Sequence, residues 1–440
     1  MTDTSTEKYY AARKFYESLM RSQWLPTERI IAYQETQLQQ MLAHAWAQVP
    51  FYREPLGRIR MADGKFDLNR WEELPIIDKE IVSKDPEAFK AKELPANHQS
   101  LLSGSTSGSE GRVLSVTRTR FEHTGTACAS YRYADWFGYN YATPMAMIRS
   151  GFIRPADVND PEDKLWGPPW IDPKTRGARH RLNIHTPLTQ QLDWLVDLGT
   201  VYLNTLPSNI MALVQLSEAE GRKPEVKAVM SIGEKLRQDV RDEVQRVWGC
   251  RISDVYATAE TGLIAVECPD CGGYHLQTEI SRTEVINEKD MPCTTGETGY
   301  IVSTSLYNFA MPMIRYRFQD LATMGTACSY GRGLPCLSEI IGRKSSLLMS
   351  PDGALYAPPI STRHICNLCG AREWQLDQQT ANFFVLRLKL EGLLTQVQQE
   401  GLRSYVVSLL HNGSTLTVET TSQFPRSQGG KFYPIVRNFS

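Results

Sequence analysis

No run of 18 apolar residues occurs in the 440-residue chain, so no stretch has the length that a membrane-spanning helix requires. The first residues, Met1 to Glu17, are polar and hold no apolar signal core, which makes the cytoplasm the expected compartment. A surplus of charge is missing too. Lys and Arg number 48 against 49 Asp and Glu, for a formal net charge of -1. A nucleic-acid partner ordinarily shows as a basic surplus, so none is expected. The two local basic clusters read as a solvated loop (Lys174 to Arg181) and as part of an anion-handling region (Arg112 to Arg120). Neither an internal repeat nor a low-complexity tract is present. Gly and Pro usage is ordinary, which argues against collagen-like, coiled-coil and disordered classes. The nine cysteines are an odd number. In a cytosolic chain of this size they read as thiols or metal ligands rather than as a disulfide framework.

What is present is enough chain for a large core and two or three folding units. Leu38, Met41, Leu42, Ala45 and Trp46 recur at three-and-four spacing and share one helix face, which Pro50 ends. From about residue 100 to 320, short β-rich runs alternate with amphipathic helices. In the clearest unit, the strand Ala228 to Ile232 is followed by a Gly233-Glu234 turn. A helix carrying Val240, Val244, Val247 and Trp248 comes next, closed by Gly249, and then a strand from Ile252 to Tyr256. Strand, helix, strand predicts a parallel or mixed sheet covered by helices, with ligands at the carboxyl ends of the strands. A smaller α+β unit follows a boundary near Gly342 to Ser346. Its predicted elements are a strand Phe384 to Leu390, a helix near Leu393 to Leu410, a turn at Asn412-Gly413 and a strand Thr415 to Thr421.

Several segments carry chemistry. In Ser103-Gly104-Ser105-Thr106-Ser107-Gly108-Ser109-Glu110-Gly111, eight of nine residues are small or hydroxylated. Closely spaced N–H and hydroxyl donors suit a polyphosphate, although a flexible linker has the same composition. The Gly-Lys-Ser/Thr ending of a Walker loop is absent. Tyr256 to Gly262 follows a strand. Its Glu260 offers a hard oxygen ligand for Mg²⁺ and Tyr256 a ring for a nucleobase. The alternative is a helix N-cap at Thr258, with Glu260 an ordinary first-turn acid. Arg315-Tyr316-Arg317-Phe318-Gln319-Asp320 suits phosphate and ribose, or a salt-bridged surface strand. Lys431, after Gly429-Gly430, is a cation on a loop able to swing, or a solvated lysine. Cys268, Cys271, His275, Cys328 and Cys336 are five metal-type ligands in two clusters, and a closed zinc site needs four. Cys366 and Cys369 read as structural thiols. Tyr131, Tyr133, Trp136 and Phe137 suit an apolar pocket or a core helix.

In this order the segments resemble the adenylate-forming superfamily, and more closely the phenylacetate–CoA ligase family with its capsule-biosynthesis-like branch. The likeness also shows in His44 to Arg53, Leu74 to Lys79, Glu267 to His275 and Ala310 to Arg317, and it runs from about Trp24 to Arg437. The resemblance implies an α/β fold with a large N-terminal adenylation domain (1–343) and a small mobile C-terminal lid (344–440). It implies that Ser103 to Gly108 hold the ATP phosphates and that Gly233, Glu234 and Tyr256 contact adenine. Thr258 and Glu260 then serve phosphate and Mg²⁺, Asp320 the ribose and Arg343 the nucleotide, while Lys431 promotes adenylation. It also implies zinc at Cys268, His275 and Cys328, with Cys271 or Cys336 completing the set. A small, aromatic acid would be activated as its acyl-AMP and passed to CoA. An amine, hydroxyl or carrier acceptor, another small acid such as nitrite, and an inactive scaffold are the other readings. A homodimer follows by family analogy. Three positions depart from the pattern: Arg112 replaces a common Lys, Ser345-Ser346 stands where Asp is usual at the hinge, and Tyr330 replaces the second Cys of Cys-x-Cys.

Overall fold

The computed structural model describes residues 4–105, 114–151, 165–390, 392–427 and 429–439. The chain is an α/β protein whose contacts gather it into two compact units. One comprises Met1–Pro144, Asp163–Ala178 and Ser253–Ile341. The other comprises Met145–Glu162, Arg179–Ile252 and Gly342–Ser440.

The first unit begins with long helices. In the helix Thr27–Gln48, Leu38, Met41, Leu42 and Ala45 are buried, as their spacing predicts. Val49, already extended, ends the helix because the residue before Pro50 is driven out of the helical region. Strands of this unit run in the spatial order Ser281–Ile286, Thr298–Ser305, Tyr316–Met324, Cys336–Arg343, Tyr274–Leu276, Gly262–Glu267 and Arg251–Thr258. The pairings from Cys336–Arg343 onward are antiparallel. Ile264, Leu276, Ile301, Ile314 and Tyr316 pack with the Leu38 stripe into one core.

The second unit holds a parallel sheet, in the order Val226–Ile232, Val201–Thr205, Met145–Arg149, Arg179–Asn183. Alternation gives it two unlike faces. Ala146, Ile148, Leu182, Leu203 and Val229 form a core with Leu192, Leu195, Ile210, Leu213 and Val240 of the covering helices. Met147, Arg149, Arg179, Arg181, Asn183, Asn204 and Met230 alternate with them. Arg179 and Arg181 are therefore half-buried strand residues, not part of the solvated loop expected for Lys174 to Arg181. The chain leaves Met145–Arg149 for the strand on one side and returns to place Val201–Thr205 on the other, so the strand order reverses between those two. The helix from Gln238 runs to Trp248 and stops at Gly249, whose φ of 68° is the left-handed conformation that ends helices.

The C-terminal part of this unit is α+β. Its sheet has the order Thr415–Thr421, Phe383–Lys389, Glu373–Gln378, Ile435–Arg437. Helices Thr362–Cys369 and Gln396–Ser408 pack Ile365, Leu402 and Val406 against Leu376, Phe384 and Leu386. Among the described residues no helix is long and apolar enough to cross a membrane.

Candidate active site and metal-binding cluster

Leu101–Ser105 pairs antiparallel with Ser115–Thr119, so Ser103, Gly104 and Ser105 begin the small-residue segment as strand rather than loop. Thr106, Ser107 and Gly108 lie outside the described residues.

In the first unit, the strand Arg251–Thr258 turns directly into the strand Gly262–Glu267. No helix begins at Thr258, which overturns the N-cap alternative. The Thr258 Oγ1 instead accepts the Thr261 amide at 3.2 Å and shapes the turn. The turn buries Glu260, whose carboxylate accepts a 3.3 Å hydrogen bond from the Tyr316 hydroxyl. Burial raises the Glu260 pKa, Asp320 adds like charge, and Lys79 opposes the shift. The Tyr256 hydroxyl donates to Asp320 at 2.8 Å. Thr258, Glu260, Tyr256 and Asp320 are thus brought together. The two arginines beside them have partners of their own. Arg315 is buried and donates to the carbonyls of Glu72 and Leu74, both at 3.0 Å, and to Glu284 at 3.1 Å. Arg317 pairs with Asp290 at 3.2 Å.

In the second unit, Gly233 follows Val226–Ile232 with φ of 86°. A Cβ there would stand 3.0 Å from Leu206 and 3.7 Å from the Cε of Lys431, so the loop bearing Lys431 lies against this turn. Glu234 holds it there. One carboxylate oxygen accepts the Phe432 amide at 2.8 Å and the Ser208 hydroxyl at 3.0 Å, and the other accepts the Ser208 amide at 2.8 Å. Ser208 sits in the first turn of Pro207–Glu220, where a carboxylate is favoured. Burial raises the Glu234 pKa, while these hydrogen bonds and Lys431 pull it back. Arg343 stacks near Tyr433 at 6.0 Å, and the expected hinge Lys344–Ser346 is one 3₁₀ turn. Ser208 and Phe432 were not legible as partners, because 198 residues separate Phe432 from Glu234.

The aromatic helix residues follow the core reading. Tyr133 donates to Ser253 and packs on Phe137. Trp136 packs on His275, and Tyr131 on Trp170.

Cys268, Cys271, His275 and Cys328 place their ligand atoms within 4.8 Å of one another. The His275 Nδ1 meets the Leu334 carbonyl at 3.0 Å and so carries the proton, which leaves Nε2 a bare lone pair. That Nε2 is buried and has no hydrogen-bond partner among the described residues. Burial holds the imidazole pKa down at about 4, in the neutral form that ligates metals. A soft four-ligand set with an orphaned nitrogen fits zinc. Cys336 stands outside the set. Its Sγ packs over Gly273, where any Cβ would collide with it, and donates to the Leu337 carbonyl at 3.3 Å. Cys366 and Cys369 lie on one helix, Thr362–Cys369, of the second unit.

No family model matches the chain. It is 23% identical to a phenylacetate–coenzyme A ligase of Thermus thermophilus over 450 residues, covering 94% of this chain and 97% of the relative. A phenylacetate–coenzyme A ligase of Escherichia coli is 31% identical over 118 residues, 26% of each chain. A 2-hydroxyisobutyryl-CoA ligase solved with an acyl-AMP superposes with a TM-score of 0.72 at 17% identity, over 95% of this chain and 91% of the other. An anthranilate–CoA ligase with anthranoyl-AMP gives 0.56 at 12% identity, over 83% and 74%. The fold and the full-length likeness agree with the order of segments read from the sequence: the chain is similar to the phenylacetate–coenzyme A ligases along nearly its whole length and shares the fold of CoA ligases solved with acyl-AMP.

Proposed function

We propose that the protein activates a small carboxylic acid with ATP as an acyl-AMP and transfers the acyl group to CoA. The observation that carries this reading is the docking of the Lys431 loop beside the Gly233-Glu234 turn, at the carboxyl end of a parallel strand. In the first half-reaction a carboxylate oxygen attacks the α-phosphorus, the new P–O bond forms, and pyrophosphate leaves. Lys431 stabilises the charge that develops between acid and phosphate. Asp320, oriented by Tyr256, receives the ribose hydroxyls, and the small-residue segment with Thr258 receives phosphate oxygens. Arg343 contacts the nucleotide. Gly233 offers its backbone to adenine, and Glu234 anchors the turn. Glu260 is a buried carboxylate beside a second acid, so it gains from a cation. It would hold Mg²⁺, which when bound neutralises phosphate charge. In the second half-reaction the CoA sulfur forms a thioester bond as the acyl–AMP C–O bond breaks. Residues 344–440 act as the lid that exchanges these states. Cys268, Cys271, His275 and Cys328 would hold zinc in a structural role, outside both steps.

The test is pyrophosphate release over a panel of acids, with and without CoA, followed by thioester detection. Release with thioester formation supports the reading. Release without thioester moves the acceptor to an amine, hydroxyl or carrier, and no release with any acid overturns it. Lys431→Ala is expected to lose adenylation while ATP still shifts the melting temperature.

A further inference from the structure

We propose that Arg149 and Asn204 bind a second anionic group on the acid, so that the substrate is a dicarboxylic or comparably dianionic acid. This deepens the ligase reading and rests on it.

The sheet topology singles out the place. Open parallel sheets take their ligands outside the carboxyl ends of the strands, where the strand order reverses. In the second unit that reversal lies between Met145–Arg149 and Val201–Thr205. Arg149 is the last residue of one strand and Asn204 the penultimate residue of the other. The two side chains meet: Arg149 Nη2 donates to Asn204 Oδ1. Asn204 Nδ2 in turn donates to the Met230 carbonyl at 2.9 Å, which fixes the amide with its oxygen toward the guanidinium.

The guanidinium is under-satisfied. Its Nε is enclosed and finds no acceptor among the described residues. Among the described residues it forms no ion pair, and Asn204, a neutral group, is its one side-chain acceptor. Burial and the nearby Arg179 push its pKa down to about 10, the response of a cation that lacks a counter-charge. An enclosed cation of this kind costs stability unless an anion meets it. Its strand otherwise reads Met-Ala-Met-Ile, so the arginine interrupts an apolar run at the ligand end.

The spacing suits one small molecule. Gly233, against which the Lys431 loop docks, ends the strand two places along the same sheet. Neighbouring strands are about 4.8 Å apart, so the two strand ends are roughly 10 Å apart. With Lys431 and Arg149 each extending a side chain, the reacting carboxylate and a second anionic group can share one compact acid.

The experiment compares size-matched acids in the pyrophosphate assay on the full chain: succinate with butyrate, glutarate with valerate, isophthalate with benzoate. The dianionic member of at least one pair is expected to show a kcat/KM about 10- to 100-fold higher, the scale of a charge-assisted hydrogen bond. Arg149→Met should reverse that preference. Asn204→Asp, which keeps the arginine but supplies it with an internal carboxylate, should erase it. A melting shift with ATP checks that each variant is folded, and the wild-type ranking decides the matter even if neither variant folds. Preference for the monoacid in every pair overturns the proposal, as does an unchanged ranking in both folded variants. Pyrophosphate from no acid at all overturns the ligase reading and this inference with it.

Discussion

Glu234 accepts the backbone amide of Phe432 at 2.8 Å, so a carboxylate at the end of one strand fixes the residue next to Lys431. The same carboxylate caps the Pro207–Glu220 helix through Ser208, which ties the loop position to the carboxyl end of the strand Val226–Ile232. Glu234→Ala removes the acceptor of all three hydrogen bonds. Bonds to a charged group contribute about 1.5–3 kcal/mol, or roughly ten- to a hundredfold in rate. Adenylation, read as pyrophosphate release, should fall by that factor. Thioester formation from presynthesised acyl-AMP should change far less, because that step does not need Lys431 docked. An equal loss in both half-reactions would show that Glu234 only supports the fold.

Glu260 is expected to trade stability for function. Burial, and Asp320 beside it, raise its pKa in the folded protein. A carboxyl with a raised folded pKa favours the fold while protonated, and that contribution is lost as pH rises through the folded value. At neutral pH the ionised group is therefore a cost. Glu260→Gln should raise the melting temperature at pH 7, the gain should vanish in acid, and Mg²⁺-dependent adenylation should be lost. The acid limb of the wild-type rate profile should lie above the ordinary carboxylate range. A lower melting temperature for the variant at pH 7 would reject this account.

How far the sequence could be read follows from how local each signal is. Val226–Ile232, the stop at Gly249 and the strand Thr415–Thr421 were all legible, because alternation and turn residues act within a few positions. The order of the small-residue segment, Glu260, Asp320 and Lys431 pointed to the family. The partners of these residues were not legible. Tyr256 and Asp320 are 64 residues apart, and their hydrogen bond is made by strands that meet only in the folded sheet. Arg315 looked like a phosphate ligand and is a buried brace, since only the packing shows that backbone carbonyls and Glu284 occupy it. The choice of Cys271 over Cys336 depended on where a strand carries Cys336.

A second brace should dominate stability in the first unit. Arg132 and Glu279 are both buried and joined by two hydrogen bonds, at 2.7 and 3.1 Å. The arginine also donates to Gln277 at 2.7 Å and to the Leu19 carbonyl at 3.1 Å. Burial alone would raise the Glu279 pKa; Arg132 overrides it and holds the carboxyl below its usual value. Arg132→Met strands that charge and should cost about 3–5 kcal/mol in denaturant unfolding. The wild-type pair stabilises above the unfolded pKa and loses its contribution as pH falls. In the variant the stranded carboxyl favours protonation, so its deficit should shrink in acid. A deficit independent of pH would mean that lost packing, not charge, is responsible.

The metal cluster gives the sharpest contrast between two chemically identical residues. Cys271 shares the 4.8 Å ligand group with Cys268, His275 and Cys328, whereas Cys336 spends its sulfur on packing over Gly273 and on the Leu337 carbonyl. Purified protein should contain one zinc per chain by elemental analysis. Cys271→Ser and His275→Ala should lose it, because a closed structural site needs all four ligands. Cys336→Ser should keep it. Chelation should lower the melting temperature of the wild type and of Cys336→Ser, and should leave that of Cys271→Ser unmoved, since metal binding energy is folding energy in such sites. Zinc retained by Cys271→Ser and lost by Cys336→Ser would exchange their roles, and less than stoichiometric metal in the wild type would remove the site altogether.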